Sequence, residues 1–409
     1  MSDRNLSSKP IVLIYTEPLL ARSMTFIRTQ AEALTSFCPY YISPYLESNG
    51  LPLPADRVLV MRRGAGPWAR ASAIPFKLSG RAPLYVRKLR SLRPALLHAH
   101  FGPTALRALP LARALNIPMI VTFQGYDATV YDEYARVSKH YSHRLYIRRR
   151  KVLESGSALL IAVSNFIRSE LIRQGFSPEK ILTHYVGVDT ELFCPDPAIP
   201  RGPIVLFTGR LAEKKGCEYL IRAMAKVQLA LSENELVIIG DGPLRGDLER
   251  LAAGCLRRYR FLGFQPPEVV KQWMNKARIF GAPSLRARSG DAEGYPNAFA
   301  EAQSMGLPVV SFNADGVREA VSHGNTGFLA PERDSDGLAH YLQLLLTNPE
   351  LCSRMSAAAR QYVCLDFNLA KQTSVLEDIY RRVLQKNTQS YSAIHTEQEE
   401  RERVGSLDL

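Results

Sequence analysis

The chain has 409 residues, of which 46% are hydrophobic and 22% charged; this is ordinary globular composition, and the length favours two domains over one. The formal net charge of +13 leaves room for an anionic partner, although a solvated basic surface accounts for it equally well. The six cysteines are scattered, with no CxxC pair and no metal-like His/Cys cluster, which suits a reducing cytoplasm.

The N-terminal residues MSDRNLSSKP are polar and lack the apolar core of a signal peptide. The longest apolar runs, such as IVLIY, have the length of a strand and fall far short of the ~20 residues that span a bilayer. We therefore expect a soluble cytoplasmic protein, which could still sit on the inner face of the plasma membrane as a peripheral protein.

Short apolar strands alternate with amphipathic helices through the first half of the chain. The strands are predicted over 11–15, 95–100, 117–125 and 157–164. After the first strand, Ser23 is placed to cap a helix whose inward residues are Phe26, Ile27, Gln30, Ala31 and Leu34. This alternation predicts a parallel sheet covered by helices on both faces.

A proline-rich segment, CPDPAIPRGP (194–203), interrupts this rhythm, excludes a helix and predicts a stiff linker. Strand patterns then resume in PIVLFTGR, ELVIIGDG, YRFLGF, ARIFGAPS and LPVVSF, and helices are predicted over 335–347, 350–365 and about 370–386. We predict an N-terminal domain over 1–196, a C-terminal domain over 197–369 and a disordered polar tail over 388–409.

Both predicted domains have the doubly wound α/β architecture. Ligands bind such sheets at the carboxyl ends of their strands. Two sheets that face each other therefore enclose a cleft, and we expect the functional residues on the loops that line it.

A glycine-rich turn follows one strand of the second half, in VIIGDGPLRGDLER. Gly240, Gly242 and Gly246 give G-x-G-x-x-x-G, which is one residue longer than the dinucleotide fingerprint. The first strand of the chain is followed by TEPLLARSMTF, which has no glycine. A nicotinamide enzyme is therefore disfavoured, and the glycines could serve only to make a tight turn.

The segment TGRLAEKKG places Arg210 and Lys215 between Gly209 and Gly216, directly after a strand. An arginine offers a fork of donors and a lysine a point charge. Isolated basic pairs in loops are usually solvated, but at the carboxyl end of a strand this pair suits a diphosphate.

Two carboxylates, Glu293 and Glu301, lie in GDAEGYPNAFAEAQSMGLPVV. A helix is predicted from Pro296 to Met305, and Glu301 falls at the edge of its apolar arc, where a half-buried carboxylate needs a partner. Helical rise puts the two carboxylates ~10 Å apart along one wall, too far for a retaining-glycosidase pair. We predict that one binds a ribose and the other a sugar, as in a nucleotide-sugar site.

The motif RDSDG (333–337) contains a D-x-D, a pattern of two carboxylates that can hold a metal ion. It stands directly before the helical pattern GLAHYLQLLL, so a helix cap is the favoured interpretation. We expect no essential metal, because the basic pair supplies the charge that a metal would provide.

The E-x7-E motif, together with GRLAEKKG, GDGPLRGDLE, LPVVSF and VGVDTELF, resembles the retaining glycosyltransferases of family 4. These have the GT-B fold of two facing Rossmann-like domains with an interdomain cleft. The resemblance extends from about Ile11 to Arg382. Within the family, SMTFIRTQ, HAHFG and TFQGYD are similar to the bacterial exopolysaccharide branch, such as the colanic acid enzymes.

This resemblance implies a role for each matching residue. Glu301 takes the ribose hydroxyls, and Glu293 takes the donor sugar. Arg210 and Lys215 neutralise the leaving diphosphate. The donor-binding set that it implies is Glu293, Gly294, Tyr295, Glu301 and Gly242, with backbone contacts from Gly294 and Tyr295. The helix of about 370–387 is expected to cross back and complete the N-terminal, acceptor-side domain.

One position departs from the family. Many relatives have a histidine where this chain has Gln124, and that histidine hydrogen-bonds the donor sugar. Gln124 can donate and accept but cannot titrate, which leaves it a polar-contact role. Asp127 is then a candidate base, or else a turn or helix-start residue. His100 is expected on the acceptor side; because His98 and His100 alternate on a strand, we expect only one of them to face the cleft.

The predicted function is transfer of a sugar, with retention of configuration, from a UDP- or GDP-linked donor to a lipid-diphosphate-linked saccharide in exopolysaccharide or lipopolysaccharide synthesis. Two alternatives stay open. One is a nucleotide-sugar 2-epimerase of the same fold, and the other is a non-catalytic sugar-nucleotide-binding protein. No cofactor and no nucleic-acid partner are expected.

Basic residues mixed with aromatics in the first half of the chain suit an anionic membrane surface. The three segments are 61–83, 85–93 and 139–151, with the aromatic residues Trp68, Phe76, Tyr85, Tyr141 and Tyr146. A solvated basic face is the alternative.

Overall fold

The structure, a computed structural model, describes residues 9–405 except 48–49, 62–67, 69–70, 72–73, 75, 77–81 and 139–140. From residue 388 onwards it describes the backbone only. All structural statements below concern these residues.

The N-terminal half forms a parallel seven-stranded sheet in the order β3-β2-β1-β4-β5-β6-β7. Its strands are β1 (Ile11–Tyr15), β2 (Cys38–Ser43), β3 (Val58–Val60), β4 (Leu96–His100), β5 (Met119–Phe123), β6 (Leu159–Ala162) and β7 (Ile181–Thr183). The four predicted strands are confirmed in place. Strand β2 was missed because Pro39 lies inside it, and β3 and β7 because three residues carry too little pattern.

The C-terminal half forms a parallel six-stranded sheet in the order β10-β9-β8-β11-β12-β13. Its strands are β8 (Ile204–Thr208), β9 (Glu235–Ile239), β10 (Tyr259–Phe261), β11 (Ile279–Gly281), β12 (Val309–Phe312) and β13 (Gly327–Ala330). The central strands are continuous apolar runs because helices cover both faces of the sheet. The five predicted strands are confirmed, and only β13 was missed. Two facing Rossmann-like sheets are thus the observed architecture.

Helices connect the strands of the N-terminal sheet. They are α1 (Thr25–Glu32), α2 (Pro83–Arg90), α3 (Gly102–Leu115), α4 (Tyr126–Thr129), α5 (Asp132–Arg136), α6 (Tyr141–Gly156) and α7 (Asn165–Arg173). Helix α1 is present, but the expectation that Ser23 caps it is wrong. Its N-cap residue is Met24, and no side chain accepts a hydrogen bond from its first turn.

The C-terminal half contains helices α8 (Cys217–Ala230), α9 (Arg245–Cys255), α10 (Pro267–Lys276), α11 (Asn297–Ser304), α12 (Val317–Ala320), α13 (Ser335–Thr347), α14 (Pro349–Asp366) and α15 (Leu369–Gly405). Helix α11 begins one residue later than predicted, with Pro296 as its N-cap. In the D-x-D motif, Asp334 accepts hydrogen bonds from the N–H groups of Asp336 and Gly337, which confirms the predicted helix cap.

Helix α15 lies against the N-terminal sheet and its helices. Its Glu377 accepts hydrogen bonds from the N–H groups of Thr35 and Ser36, both at 2.6 Å. The prediction of a disordered tail is wrong as far as Gly405, because the helix continues to that residue; 406–409 lie outside the described residues. The tail is too polar to be buried, but it contains no proline or glycine before Gly405 and is rich in helix-forming residues.

Candidate active site

Two loops at the carboxyl ends of β8 and β9 pack backbone against backbone. A Cβ atom at Gly242 would overlap the carbonyl oxygen of Leu211, and one at Gly240 would overlap that of Gly209. The glycines are therefore required by the close approach of the two loops. This supports the tight-turn interpretation of the glycine motif; a contact of Gly242 with a donor stays a prediction.

The short 3-10 helix Glu213–Lys215 follows the first of these loops, and its last residue, Lys215, places a positive charge at the site. The Lys215 ammonium lies 2.9 Å from Oε1 of Glu293, and both side chains are largely buried. The neighbouring Lys214 pairs with Asp291 at 3.0 Å. Arg210 is exposed, and within the described part of the chain no carboxylate forms an ion pair with it.

The Glu293 carboxyl is buried within this positive surrounding. Burial by itself raises the pKa of Glu293, but the charges of Lys215 and Lys214 outweigh it and the pKa is lowered. Glu293 is therefore a stable anion, held by the same lysine that was predicted to face the diphosphate.

Glu301 lies half-buried on α11, at the edge of an apolar arc that contains Phe299 and Ala302. Burial raises the pKa of Glu301 to about 7, and the charge of Lys215 only partly opposes the shift. The predicted half-buried position is thus observed. Two carboxyl groups on one wall have pKa values displaced in opposite directions, which is typical of groups with different tasks.

The Glu293 loop touches the N-terminal domain. A Cβ atom at Gly294 would overlap the carbonyl oxygen of Gln124, so only glycine fits there. Nearby, the Ala292 N–H donates to the Thr129 hydroxyl at 3.1 Å. These contacts bring Glu293 and Gln124, which are predicted site residues of opposite domains, to the same end of the cleft.

The Tyr295 side chain packs among other aromatic rings. Its ring is buried and stacks on Phe367 with centroids 5.1 Å apart, with Tyr185 at 5.3 Å. A donor contact through the Tyr295 backbone stays a prediction.

Gln124 follows β5 and contacts the end of β4, with its Nε2 atom 3.2 Å from Nδ1 of His100. The argument that His98 and His100 alternate was wrong, because residues two apart on a strand point to the same face. Their rings lie 4.4 Å apart. Both rings are buried, and they differ in their partners: His98 is satisfied by Tyr380 and Thr122, so it has the structural role expected of one histidine of the pair, whereas His100 contacts Gln124.

Asp127 is buried and binds backbone on both oxygens. Its Oδ2 accepts from the Gly102 N–H at 2.9 Å, and its Oδ1 accepts from the N–H groups of Gln124 at 3.1 Å and Gly125 at 2.9 Å. Burial raises the pKa of Asp127, and these donors oppose the shift. The geometry favours the turn role, in which Asp127 holds the Gln124 loop against the start of α3. A base role remains a prediction that this geometry does not support.

Sequence reasoning missed the residues that fasten the two domains beside this site. Arg286 of the C-terminal domain pairs with Asp315 at 2.8 Å and reaches Glu170 of α7 at 3.2 Å. Glu319 accepts hydrogen bonds from the first N–H groups of α7, those of Asn165 at 2.9 Å and Phe166 at 2.7 Å. No local pattern marks these contacts, because their partners are far apart in the chain.

Two facing parallel sheets with polar loops meeting across a cleft are the arrangement called the GT-B fold. The family model described as Glycosyltransferase Family 4 matches residues 43–192, and the one described as Glycosyl transferases group 1 matches residues 192–362.

Known proteins agree with this class. The amylovoran biosynthesis glycosyltransferase AmsK of Erwinia amylovora is 33% identical over 298 residues, which are 69% of this chain and 69% of that protein. The putative colanic acid biosynthesis glycosyltransferase WcaL of Salmonella typhimurium is 30% identical over 281 residues, 66% of each. The crystal structure of Anabaena Alr3699/HepE in complex with UDP and glucose has the same fold, with a TM-score of 0.69 and 18% identity over 91% of this chain and 100% of that one.

The chain therefore belongs to glycosyltransferase family 4, in the branch of the bacterial exopolysaccharide enzymes, and it is a glycosyltransferase. In the part of the chain that the structure describes, no helix has both the length and the hydropathy to cross a bilayer.

Proposed function

We propose that this enzyme transfers a sugar from a nucleoside diphosphate sugar, with retention of configuration and without a metal, to a lipid-linked saccharide in exopolysaccharide synthesis. The observation that carries the proposal is the ion pair of Lys215 with Glu293, beside the half-buried Glu301. Together these residues provide one cation and two carboxylates with different pKa values on a single wall.

Each group has a chemical task in this proposal. Ionised Glu301 accepts hydrogen bonds from the two ribose hydroxyls. Lys215 and the exposed Arg210 stabilise the negative charge that grows on the diphosphate as it leaves. Glu293, kept anionic by its lysine, accepts a hydroxyl of the donor sugar and lies near the developing oxocarbenium charge.

The solved structure of the Anabaena protein contains UDP and glucose, and the named relatives are enzymes of amylovoran and colanic acid biosynthesis. The bound nucleotide and sugar of the Anabaena structure and the pathways of the relatives support a nucleotide-sugar donor and a polysaccharide product. The nucleobase and the sugar of the donor are identified by the following experiment.

A thermal-shift panel of UDP-, GDP- and ADP-sugars tests the donor. A ligand at 100 times its dissociation constant adds ~2.7 kcal/mol to a reversible fold. The selected donor is then assayed for transfer with and without EDTA, and the anomeric configuration of the product is read by NMR. We expect full activity in EDTA and retention; inversion, or loss of activity in EDTA that Mg²⁺ restores, would contradict the proposal.

The same assay separates the two alternatives. Release of a free N-acetylated sugar from its nucleotide would favour the 2-epimerase. Donor binding with neither hydrolysis nor transfer would favour the non-catalytic binding protein.

For the acceptor, we propose that the N-terminal domain meets the membrane surface. Trp68 is 89% exposed and Leu84 82% exposed, and Leu84 lies on the same exposed side of α2 as Arg87 and Lys88. Most of the segment 61–83 and residues 139–140 lie outside the described residues. Exposed apolar side chains beside lysine and arginine suit anionic headgroups.

The structure removes three aromatic residues from the predicted membrane surface. Phe76, Tyr85 and Tyr146, predicted as interface aromatics, are buried in the core, so that assignment is wrong for all three. Arg150 is paired with both oxygens of Asp132, at 2.9 and 3.1 Å, whereas Arg148 is exposed.

Vesicle flotation with anionic and neutral lipids tests the membrane surface. The variant should be Arg148→Glu with Arg149→Glu, because a change at Arg150 would break the ion pair with Asp132. Each basic residue near an anionic surface adds roughly 1 kcal/mol, screened by salt. We expect binding to anionic vesicles at low salt that is lost at high salt and in the variant. No flotation at low salt, with full activity on a soluble acceptor, would refute the membrane role.

A further inference from the structure

A chain of buried polar side chains connects helix α15 to the N-terminal wall of the cleft. The Tyr380 hydroxyl lies 2.7 Å from Nδ1 of His98, and the Thr122 hydroxyl lies 2.6 Å from its Nε2. The His98 ring lies against that of His100, with centroids 4.4 Å apart. His100 in turn reaches Gln124, with Nδ1 and Nε2 atoms 3.2 Å apart. The chain therefore ends on Gln124, whose backbone carbonyl packs against Gly294 of the Glu293 loop.

The protonation state of His100 and the orientation of the Gln124 amide together give the direction of the last hydrogen bond. Burial lowers the pKa of both histidines, to about 3 for His100, so each imidazole is neutral and has one accepting nitrogen. In the observed orientation of the amide, the NH₂ group, which only donates, lies at Nδ1 of His100, and that nitrogen accepts. With its NH₂ group held in this way, the Gln124 carboxamide keeps its oxygen free to accept a hydrogen bond from a hydroxyl.

We propose that Tyr380, acting through His98 and His100, is a positioning residue for Gln124, so that helix α15 sets how the carboxamide meets a hydroxyl of the donor sugar. This inference rests on the proposed function of the cleft. Functional side chains need to be held within about 0.5 Å, which requires supporting hydrogen bonds behind them. Tyr380 is fully buried and His98 and His100 are each 1% exposed, so water cannot readily replace this support.

Tyr380→Phe removes only the hydroxyl, because the ring remains packed edge-on against Phe37 at 5.2 Å. The matched control is Tyr41→Phe. Tyr41 is also fully buried in the same core cluster, and its hydroxyl donates to Glu32 at 2.6 Å, with no link to Gln124. Both variants lose one hydrogen bond of a buried tyrosine; because the partner of Tyr41 is the charged Glu32, Tyr41→Phe is expected to lose at least as much stability as Tyr380→Phe.

The assay uses UDP-glucose, or the donor that the sugar panel selects, with kcat and KM measured separately. Tyr380→Phe is expected to lower kcat about fivefold, the effect of one neutral hydrogen bond, while the dissociation constant of bare UDP stays the same. Tyr41→Phe is expected to leave kcat unchanged. Equal losses of kcat in the two variants would show an effect of stability alone and would overturn the proposal.

A double-mutant cycle gives the sharper test. In a Gln124→Ala background the Tyr380→Phe change is expected to have no further effect, because the side chain that it positions is gone. The Thr122 hydroxyl, which contacts the other ring nitrogen of His98, gives a second test. Thr122→Val should lower kcat, and Thr122→Ser, which keeps the hydroxyl, should retain it. Additive losses in the cycle would overturn the inference while leaving the transferase function intact.

A readout without turnover separates this inference from the proposed function. If the wild-type protein neither binds nor cleaves any donor of the panel, the proposed function fails at that step. In protein labelled with ¹⁵N-histidine, Tyr380→Phe is still expected to move the ring signals of both His98 and His100, and Gln124→Ala that of His100. An unmoved His100 signal in Tyr380→Phe would mean that loss of the Tyr380 hydroxyl has no effect on His100, which would overturn the inference.

Discussion

The two walls of the cleft carry polarity in different ways. The C-terminal wall concentrates charge, with Lys215 paired to Glu293 beside a glutamate whose pKa is about 7. The N-terminal wall presents the neutral carboxamide of Gln124, backed by the neutral His100. A charged wall suits the part of a substrate whose charge changes during reaction, and a neutral wall suits hydroxyls that are only held. Under the proposed function these parts are the diphosphate and the sugar.

The largest effect is expected from Lys215→Ala on the charged wall. Loss of a well-placed charge facing a leaving group costs about 3 kcal/mol, or about 100- to 1,000-fold in kcat. The control is Lys214→Ala, which removes the neighbouring pair with Asp291. Steady-state kinetics with the selected donor measure the effect. If Lys215→Ala raises only KM, the lysine is a binding group and the transition-state role is wrong.

Glu301→Ala comes next. A carboxylate that accepts two hydroxyls contributes about 1.5–3 kcal/mol, so the affinity for bare UDP or GDP should fall roughly 10- to 100-fold while the fold survives. Calorimetric titration gives the affinity, and Asp247→Ala, an exposed carboxylate on α9, is the control. Unchanged affinity for the diphosphate product would remove the ribose role.

The neutral wall is tested by Gln124. Gln124→Ala is expected to lose most of the activity, about tenfold, because one hydrogen bond to the sugar and the support of His100 disappear together. Gln124→His should retain activity, since a neutral imidazole also offers a polar contact. Full activity in the alanine variant would show that this position makes no catalytic contact.

The smallest expected effect is a pH dependence. The folded-state pKa of Glu301, about 7, lies above the ~4.3 of an unfolded glutamate, so the empty protein loses this contribution to stability as pH rises through about 7. Ribose binding needs the ionised form and follows the opposite trend. From about pH 6.5 to about pH 8 the ionised fraction rises about fourfold, and nucleotide affinity should rise with it.

The nucleotide phosphate titrates with a pKa of about 6, so Glu301→Gln is measured alongside over the same range. The part of the pH dependence of nucleotide affinity that the wild-type protein shows and Glu301→Gln lacks is due to the Glu301 carboxyl. Identical pH profiles for the two proteins would show that this carboxyl does not titrate in the binding step.

Much of the fold was predictable because it is encoded locally. Apolar runs of strand length located the central strands of both sheets, and Asp334 before an apolar helical pattern located the start of α13. The failures are local too. Pro39 hid a strand, and the polar composition of the tail concealed a helix that continues to Gly405.

The sequence by itself determined the family, the two α/β domains and the residue types of the site, because spacing within one loop or helix is a property of the chain. Only the tertiary structure determined which residues contact one another at the site. It paired Lys215 with Glu293, placed His98 and His100 on one face, turned Asp127 towards backbone, and joined His98 to Tyr380, 282 residues away. Burial and charge at a site come from residues distant in sequence, so pKa values and hydrogen-bond roles follow only from the folded arrangement.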